Sequence, residues 1–225
     1  TGSEVSHSAV LSDVAAEMKV SMQSRFLRPS IALVDPELAL SCPRQVTAES
    51  GIDVLVHAIE AYTAIDAEQM PEGNAYSGRT PLTNTLCEQA ICLVGQYLIR
   101  AVETPDDLEA REGMASAALL AGMAFSNAGV AVVHALEYPI GGALHCSHGG
   151  GNGMLLPFVM RFNLQVREET FARIAELLGE DVAGMDRIDA AERAIVAVEN
   201  IRGRIGIANS IRQLGGRKNQ LAGFA

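Results

Sequence analysis

The spacing of apolar residues changes character once along the chain. Residues 6–11, 18–22 and 31–34 are brief apolar or alternating runs between turn-forming residues, the two-residue period of short strands. Beyond Cys42-Pro43 the apolar positions recur with a helical period, alanine and leucine are frequent, and glycine or proline punctuates the pattern. This predicts helices over about 45–64, 83–103, 105–127, 130–144, 152–163, 167–179 and 189–206. The expected fold class is mainly α, with a few strands in residues 1–41 and an all-helical domain over 42–225.

Local signals sharpen this outline. Thr104-Pro105-Asp106-Asp107 combines a threonine cap, a proline suited to the first helical position and two carboxylates at the positive helix end, so a helix is expected to start there. Residues 65–82, with Pro71, Gly73, Asn74, Gly78 and Pro81, read as a polar loop between two long helices. Gly113, Ala117, Ala118, Ala121, Gly122 and Ala124 make much of one helix small, which lets neighbours come close. Pro157 suits the first turn of a helix beginning after the glycines at 149–151.

Composition narrows the class. With 48% hydrophobic and 20% charged residues over 225 positions, the chain can bury a substantial core. The 17 basic and 27 acidic residues give a net charge of −10, which removes the footprint of a nucleic-acid binder or a basic membrane patch. No apolar run approaches the ~18 to 20 residues of a membrane-spanning helix, and the first residues lack the basic start and apolar core of a secretion signal. A cytoplasmic protein is the expectation. Cys42, Cys87, Cys92 and Cys146 form no CxxC pair and read as reduced, mostly buried thiols. Arg202, Arg204, Arg212, Arg217 and Lys218 read as a solvated surface or an interdomain contact. Thr1-Gly2-Ser3-Glu4 is a turn or phosphate-loop type of sequence with no strand before it, and Gly215-Gly216 leads into the last residues; an internal part of a longer polypeptide is expected.

Histidine carries the candidate chemistry. Asp53 and His57 stand four apart in Gly51-Ile52-Asp53-Val54-Leu55-Val56-His57, on one face of an otherwise apolar helix. Burying both is costly without a partner, and a simple hydrogen-bonded Asp–His pair would satisfy that segment. His134 again lies in an apolar helix, and His148 opens the run Gly149-Gly150-Gly151. One aspartate and three histidines make a donor set suited to Fe²⁺ or Zn²⁺ and poorly suited to Ca²⁺ or Mg²⁺. The glycines would admit close approach of backbone or ligand, or simply form a turn.

These residues give the chain a resemblance to the iron-containing (group III) alcohol dehydrogenases. It is carried by Thr1-Gly2-Ser3-Glu4-Val5, Val34-Asp35-Pro36-Glu37-Leu38, Gly51-Ile52-Asp53 through His57-Ala58-Ile59-Glu60-Ala61-Tyr62, and His134 through His148-Gly149 with Leu155-Leu156-Pro157. It covers essentially the whole chain. The Asp-x3-His helix followed by two histidines fourteen apart is specific to that superfamily. The resemblance implies that residues 1–41 are the last strands of an α/β dinucleotide-binding domain whose glycine-rich phosphate segment lies outside this chain, and that 42–225 form a helical metal domain without its final helices. It implies Asp53, His57, His134 and His148 as metal ligands, and Thr1, Ser3, Lys19 and Leu38 as neighbours of NAD(P).

The function so implied is reversible hydride transfer between an alcohol or hydroxyacid and NAD(P). The metal, Fe²⁺ with Zn²⁺ as an alternative, would lower the pKa of the substrate hydroxyl. Four protein ligands leave open positions on a five- or six-coordinate Fe²⁺ but close a tetrahedral Zn²⁺. One position departs from the pattern: many family alcohol dehydrogenases have a second histidine four residues after the one matching His134, and this chain has Tyr138. That removes a histidine proton relay and aligns the chain with the branch that includes hydroxyacid–oxoacid transhydrogenases. Keeping all four ligands separates it from maleylacetate reductases. Tyr138 is then the candidate catalytic residue, as a pocket wall or proton donor, with a plain core contact as the alternative. A small alcohol or hydroxyacid as partner and a homodimer or other homo-oligomer complete the expectation. The rival readings are a non-catalytic metal-binding helical module and an inactive fragment that needs the nucleotide domain.

Overall fold

The computed structural model describes residues 1–13, 15, 16 and 18–224. Two of the three expected strands form. β1 (Ser8–Asp13) and β2 (Met18–Gln23) pair antiparallel in a register running from Ser8 opposite Gln23 to Asp13 opposite Met18. Residues 31–34 form no strand: Ile31 and Leu33 are 86% and 90% exposed, and the run pairs with no strand among the described residues. Alternation alone does not make a strand, because its backbone bonds must come from another edge.

Among the described residues seven α-helices follow, as the change of period predicts. At their centre is α1 (Arg44–Thr63), buried without interruption from 51 to 62. Ile52, Val54, Leu55, Val56, Ala58, Ile59 and Ala61 point in all directions around its axis, and a helix apolar all round belongs inside a core. Helices α2 (Pro81–Glu103), α3 (Leu108–Ala128) and α5 (His148–Asn163) surround it. α4 (Val132–Leu144) packs on α5 and on β2, while α6 (Glu168–Leu177) and α7 (Arg187–Arg204) form a pair on the side of α5 and α2. No single helix among the described residues is long and apolar enough to cross a membrane.

Several boundaries differ from expectation for readable reasons. Thr104 caps the end of α2, and α3 begins after Asp107, whose carboxylate accepts the Ala110 N–H at 3.0 Å. Asp107 also accepts two bonds from Arg100, so the acidic residue expected inside the helix is its cap. A stronger start signal lies at α2, where Thr80 and Thr83 form a reciprocal capping box around Pro81. α5 begins at His148, not near 152: Ser147 caps it by accepting the Gly150 N–H, and Pro157 therefore stands inside the helix. The lost backbone bond is offset by the burial of α5 against α1.

The other corrections concern side chains. Of the four cysteines only Cys87 is fully buried, Cys92 is exposed, and none is paired. Arg202 is not solvated surface. It is 7% exposed and donates to the Met154 carbonyl at 3.2 Å, whereas Arg204 pairs with Glu103 at the surface.

Glycines bring the functional helices together. A Cβ on Gly149 would lie 2.0 Å from the Glu49 carbonyl oxygen and 3.2 Å from Cβ of Asp53, and one on Gly153 would lie 2.7 Å from Ile52. The glycine run is thus a contact surface, one turn of α5 laid directly on α1. α4 ends at His145 in the left-handed region (φ 53°), and this reversal returns the chain so that His148 faces Asp53. Gly149→Ala should separate α5 from α1, lowering stability by about 1 to 3 kcal/mol. A urea midpoint equal to wild type would contradict this account of the interface.

Candidate metal centre

Three helices deliver the site at helical spacing. Asp53, His57 and Glu60 lie along one face of α1, His134 and Glu137 stand one turn apart on α4, and His148 and Asn152 do the same on α5. One oxygen of Asp53 and one ring nitrogen each of His134 and His148 lie within 4.8 Å of one another. His57 flanks this trio with its Nε2 3.8 Å from Asp53 Oδ2, while His134 Nε2 is 4.0 Å from Asp53 Oδ1. Such spacings are too long for hydrogen bonds, yet match atoms that would each bind one ion at ~2.1 Å.

The surroundings fit a cation. His134 Nδ1 meets Glu60 Oε2 at 2.6 Å, and His148 Nδ1 meets Glu137 Oε2 at 2.6 Å. With Nδ1–H donating to the carboxylate, Nε2 carries the lone pair and faces the centre, the arrangement of carboxylate-backed metal histidines. The Asn152 amide nitrogen lies 2.8 Å from Asp53 Oδ1 and 3.2 Å from each of His134 Nε2 and His148 Nε2. Two amide hydrogens cannot satisfy three converging acceptors. His57 Nδ1 is buried without a partner, and the ring stacks between Phe125 and His134 at centroid distances of 4.3 and 4.8 Å.

Charge follows the same geometry. Burial alone would raise the Asp53 carboxyl, but His57, His148, His134 and the Asn152 amide outweigh it and hold its pKa at about 2. Burial dominates at His57, which Asp53 only partly offsets, so its pKa is lowered to about 3 and the ring is neutral. At His134 burial acts downward, but the Glu60 hydrogen bond and charge win and the pKa is raised. Asp53 as a carboxylate and His57 as a neutral imidazole are in the protonation states a metal requires, whereas the raised pKa of His134 favours its proton, which a bound cation would have to displace.

The trio opens into a cavity of about 730 Å³ that Thr1, Ser3, Lys19 and Tyr138 also line. Leu38 does not share it; that side chain is 79% exposed on a separate 3-10 turn. Tyr138 is half-buried one turn after His134, with its ring 6.4 Å from that of His148. Burial raises its phenol above the ordinary value. Lys19, from β2, is ion-paired with Glu137, which is 0% exposed. The same glutamate thus holds a hairpin lysine through one oxygen and His148 through the other. Gly141 and Gly151 make room for it, since a Cβ on either would strike the Glu137 side chain.

Glu60, Glu137 and Asn152 are the residues that sequence reasoning missed. The signal was present as spacing: Glu60 is three after His57, Glu137 three after His134, and Asn152 four after His148. What spacing could not supply is the crossed pairing, in which Glu60 of α1 serves His134 of α4 and Glu137 of α4 serves His148 of α5.

Fold and site together define a class, a helical domain that gathers carboxylate and imidazole donors from three helices beside a cavity lined by an N-terminal hairpin. The chain belongs to the Fe-containing alcohol dehydrogenase family, whose C-terminal model matches residues 47–225. It is 40% identical over 221 residues to an NAD-dependent methanol dehydrogenase of Bacillus methanolicus, covering 98% of this chain and 55% of that protein. It is 41% identical over 215 residues to a 1,3-propanediol dehydrogenase of Klebsiella pneumoniae, covering 96% of this chain and 52% of that one. A crystal structure of 1,3-propanediol oxidoreductase superposes with a TM-score of 0.90 at 39% identity, over 100% of this chain and 56% of the other. The chain spans about half the length of the curated relatives it matches.

Removing a backing carboxylate should weaken metal binding without dismantling the helices. Glu137→Gln and Glu60→Gln are each expected to reduce metal affinity by roughly 10- to 100-fold. Competition against a chelating dye measures this, and affinities equal to wild type would show that the carboxylates do not act through the histidines.

Proposed function

We propose that the protein is a metal-dependent oxidoreductase that moves hydride reversibly between an alcohol or hydroxyacid and NAD(P). The observation that carries this reading is the convergence of Asp53, His134 and His148 on the cavity that Lys19, Thr1 and Ser3 also line. The family and the dehydrogenase relatives support a metal and NAD. On this reading Asp53, His57, His134 and His148 hold the metal, with Fe²⁺ the ion in the family's name and Zn²⁺ compatible with the same donors. Residues 1–41 then belong with a dinucleotide-binding domain and 42–225 with the metal domain, which agrees with a family match that starts at 47.

When bound, the metal supplies Lewis acidity toward a substrate oxygen and NAD(P) the hydride acceptor. The chain's own residues do the rest. Phe125 and Val130 give the cavity an apolar wall that keeps water from the reacting carbon. Lys19 is held in place by Glu137 and turns its remaining N–H donors to the cavity, where they suit ribose hydroxyls; Thr1 and Ser3 add hydroxyls on the same wall. Tyr138, whose phenol stays protonated at neutral pH, donates a hydrogen bond to the substrate and is a poor general base.

The deciding experiment is metal analysis of the full-length protein beside NAD(P)⁺ reduction with a panel of primary alcohols and 2-hydroxyacids. Metal-dependent reduction with at least one substrate is expected, and a metal-loaded protein inert to the whole panel would defeat the proposal. Asp53→Ala and His134→Ala should each lose the metal while circular dichroism keeps most of the helix signal. Unchanged metal stoichiometry in both would sink the ligand assignment. Tyr138→Phe should keep full metal occupancy and lose about tenfold in activity, the share of one hydrogen bond. A loss of several orders of magnitude with metal intact would instead make the tyrosine the proton-transfer residue.

A further inference from the structure

The loop between α1 and α2 reaches back over the metal cavity. It is fastened to the end of α3 by Ser77, whose N–H and hydroxyl both donate to the Asn127 carbonyl at 2.8 and 3.0 Å. Tyr76, one residue earlier, lines the same cavity as Asp53, His134 and His148. Its ring rests on Gly129, where a Cβ would come within 3.0 Å of it, and lies 5.6 Å from the His7 ring. Its hydroxyl accepts a bond from Gln23 Nε2 of β2 at 2.6 Å. The ring is therefore held from the loop, from α3 and from the hairpin at once.

A second cavity, of about 520 Å³, is lined by residues that adjoin Tyr76. Its walls include Ala75 and Ser77, the two neighbours of Tyr76 in the chain, together with His7, whose ring lies beside that of Tyr76, and Gln23, which donates to its hydroxyl. Tyr76 lines the metal cavity while His7 and Gln23 line the second, so the contacts of Tyr76 with these two side chains stand between the two spaces. The second cavity is also basic. Arg25 and Arg28 line it, and among the described residues neither pairs with a carboxylate, in a chain of net charge −10. Arg28 is held by Ser126 Oγ at 3.1 Å and His7 Nδ1 at 3.3 Å, both through Nη2.

We propose that Tyr76 sets the upper limit on substrate length by closing the metal cavity against this second, basic cavity. The proposal rests on the dehydrogenase reading of the site. With the ring present, a chain whose oxygen lies at the metal centre ends against Tyr76. With the ring removed, the chain continues into the space beyond, and gains most when it ends in a carboxylate that Arg28 can meet. The same divide makes the aromatic ring, and not the phenol hydroxyl, the determinant.

The test compares wild type, Tyr76→Ala and Tyr76→Phe as full-length proteins with linear primary alcohols of increasing length and with ω-hydroxycarboxylates of the same lengths. In wild type and Tyr76→Phe, kcat/KM should stop rising at the same chain length. In Tyr76→Ala it should continue to rise by about fourfold for each further methylene that becomes buried, with ω-hydroxycarboxylates gaining more than alcohols beyond the old limit. Identical length profiles in all three proteins would overturn the proposal, and equal gains for both series would remove the role of Arg28. A crystal structure of Tyr76→Ala provides a readout that needs no turnover. One continuous cavity is expected, and a divide rebuilt by His7 or Gln23 would overturn the proposal even if the enzyme were active. Failure of wild type to turn over any of these compounds would count against the dehydrogenase reading, and the structure of the variant would then decide the divide by itself.

Discussion

Three carboxylates buried in an apolar helical core, Asp53, Glu60 and Glu137, constrain everything around them. An ionised carboxylate in such a place is tolerated only if cations or hydrogen-bond donors meet it. Each one here is met from elements other than its own. Asp53 of α1 faces the histidines and the Asn152 amide of α5, Glu60 of α1 takes the Val133 N–H and the His134 ring of α4, and Glu137 of α4 takes His148 of α5 and Lys19 of β2. These bonds form a closed circuit through α1, α4, α5 and the hairpin. The polar groups that need one another for burial are thereby the groups that define the site.

Such a circuit closes only if the helices approach within a few ångströms, and small residues allow it. Gly149 and Gly153 let α5 lie against α1, while Gly141 and Gly151 leave the slot that Glu137 fills. On the other side Gly122 of α3 meets the backbone of Gly2, with a Cβ at that position only 2.4 Å from the Gly2 oxygen. This contact seats Thr1 and Ser3 at the cavity. The small-residue surface of α3 thus serves the site indirectly, by placing the N-terminal segment and not by contributing a ligand.

Two non-helical segments finish the cavity, and both are bound to the helical core by side chains. Among the described residues the hairpin meets the helical core through side chains, chiefly Lys19 to Glu137 and Gln23 to Tyr76. The loop carrying Tyr76 depends in the same way on Asn127 and Gly129.

The sequence by itself determined the change from strand to helix, the count of seven helices, the central apolar helix and the four candidate ligands. Those features are local: period, apolar content and residue type act within one turn or one strand. Tertiary structure decided which residues stand behind the ligands, because the partners of Glu60 and Glu137 lie 74 and 11 residues away and no spacing rule connects them. It decided that residues 31–34 are not a strand here, since strand formation needs a partner edge and none among the described residues pairs with them. It decided that Asp107 and not Thr104 caps α3, since Arg100 of the preceding helix holds Asp107 in place. It also resolved the glycine run after His148 as a contact face of a helix, because the meaning of a missing Cβ depends on what stands opposite, and that is Glu49 and Asp53 of α1.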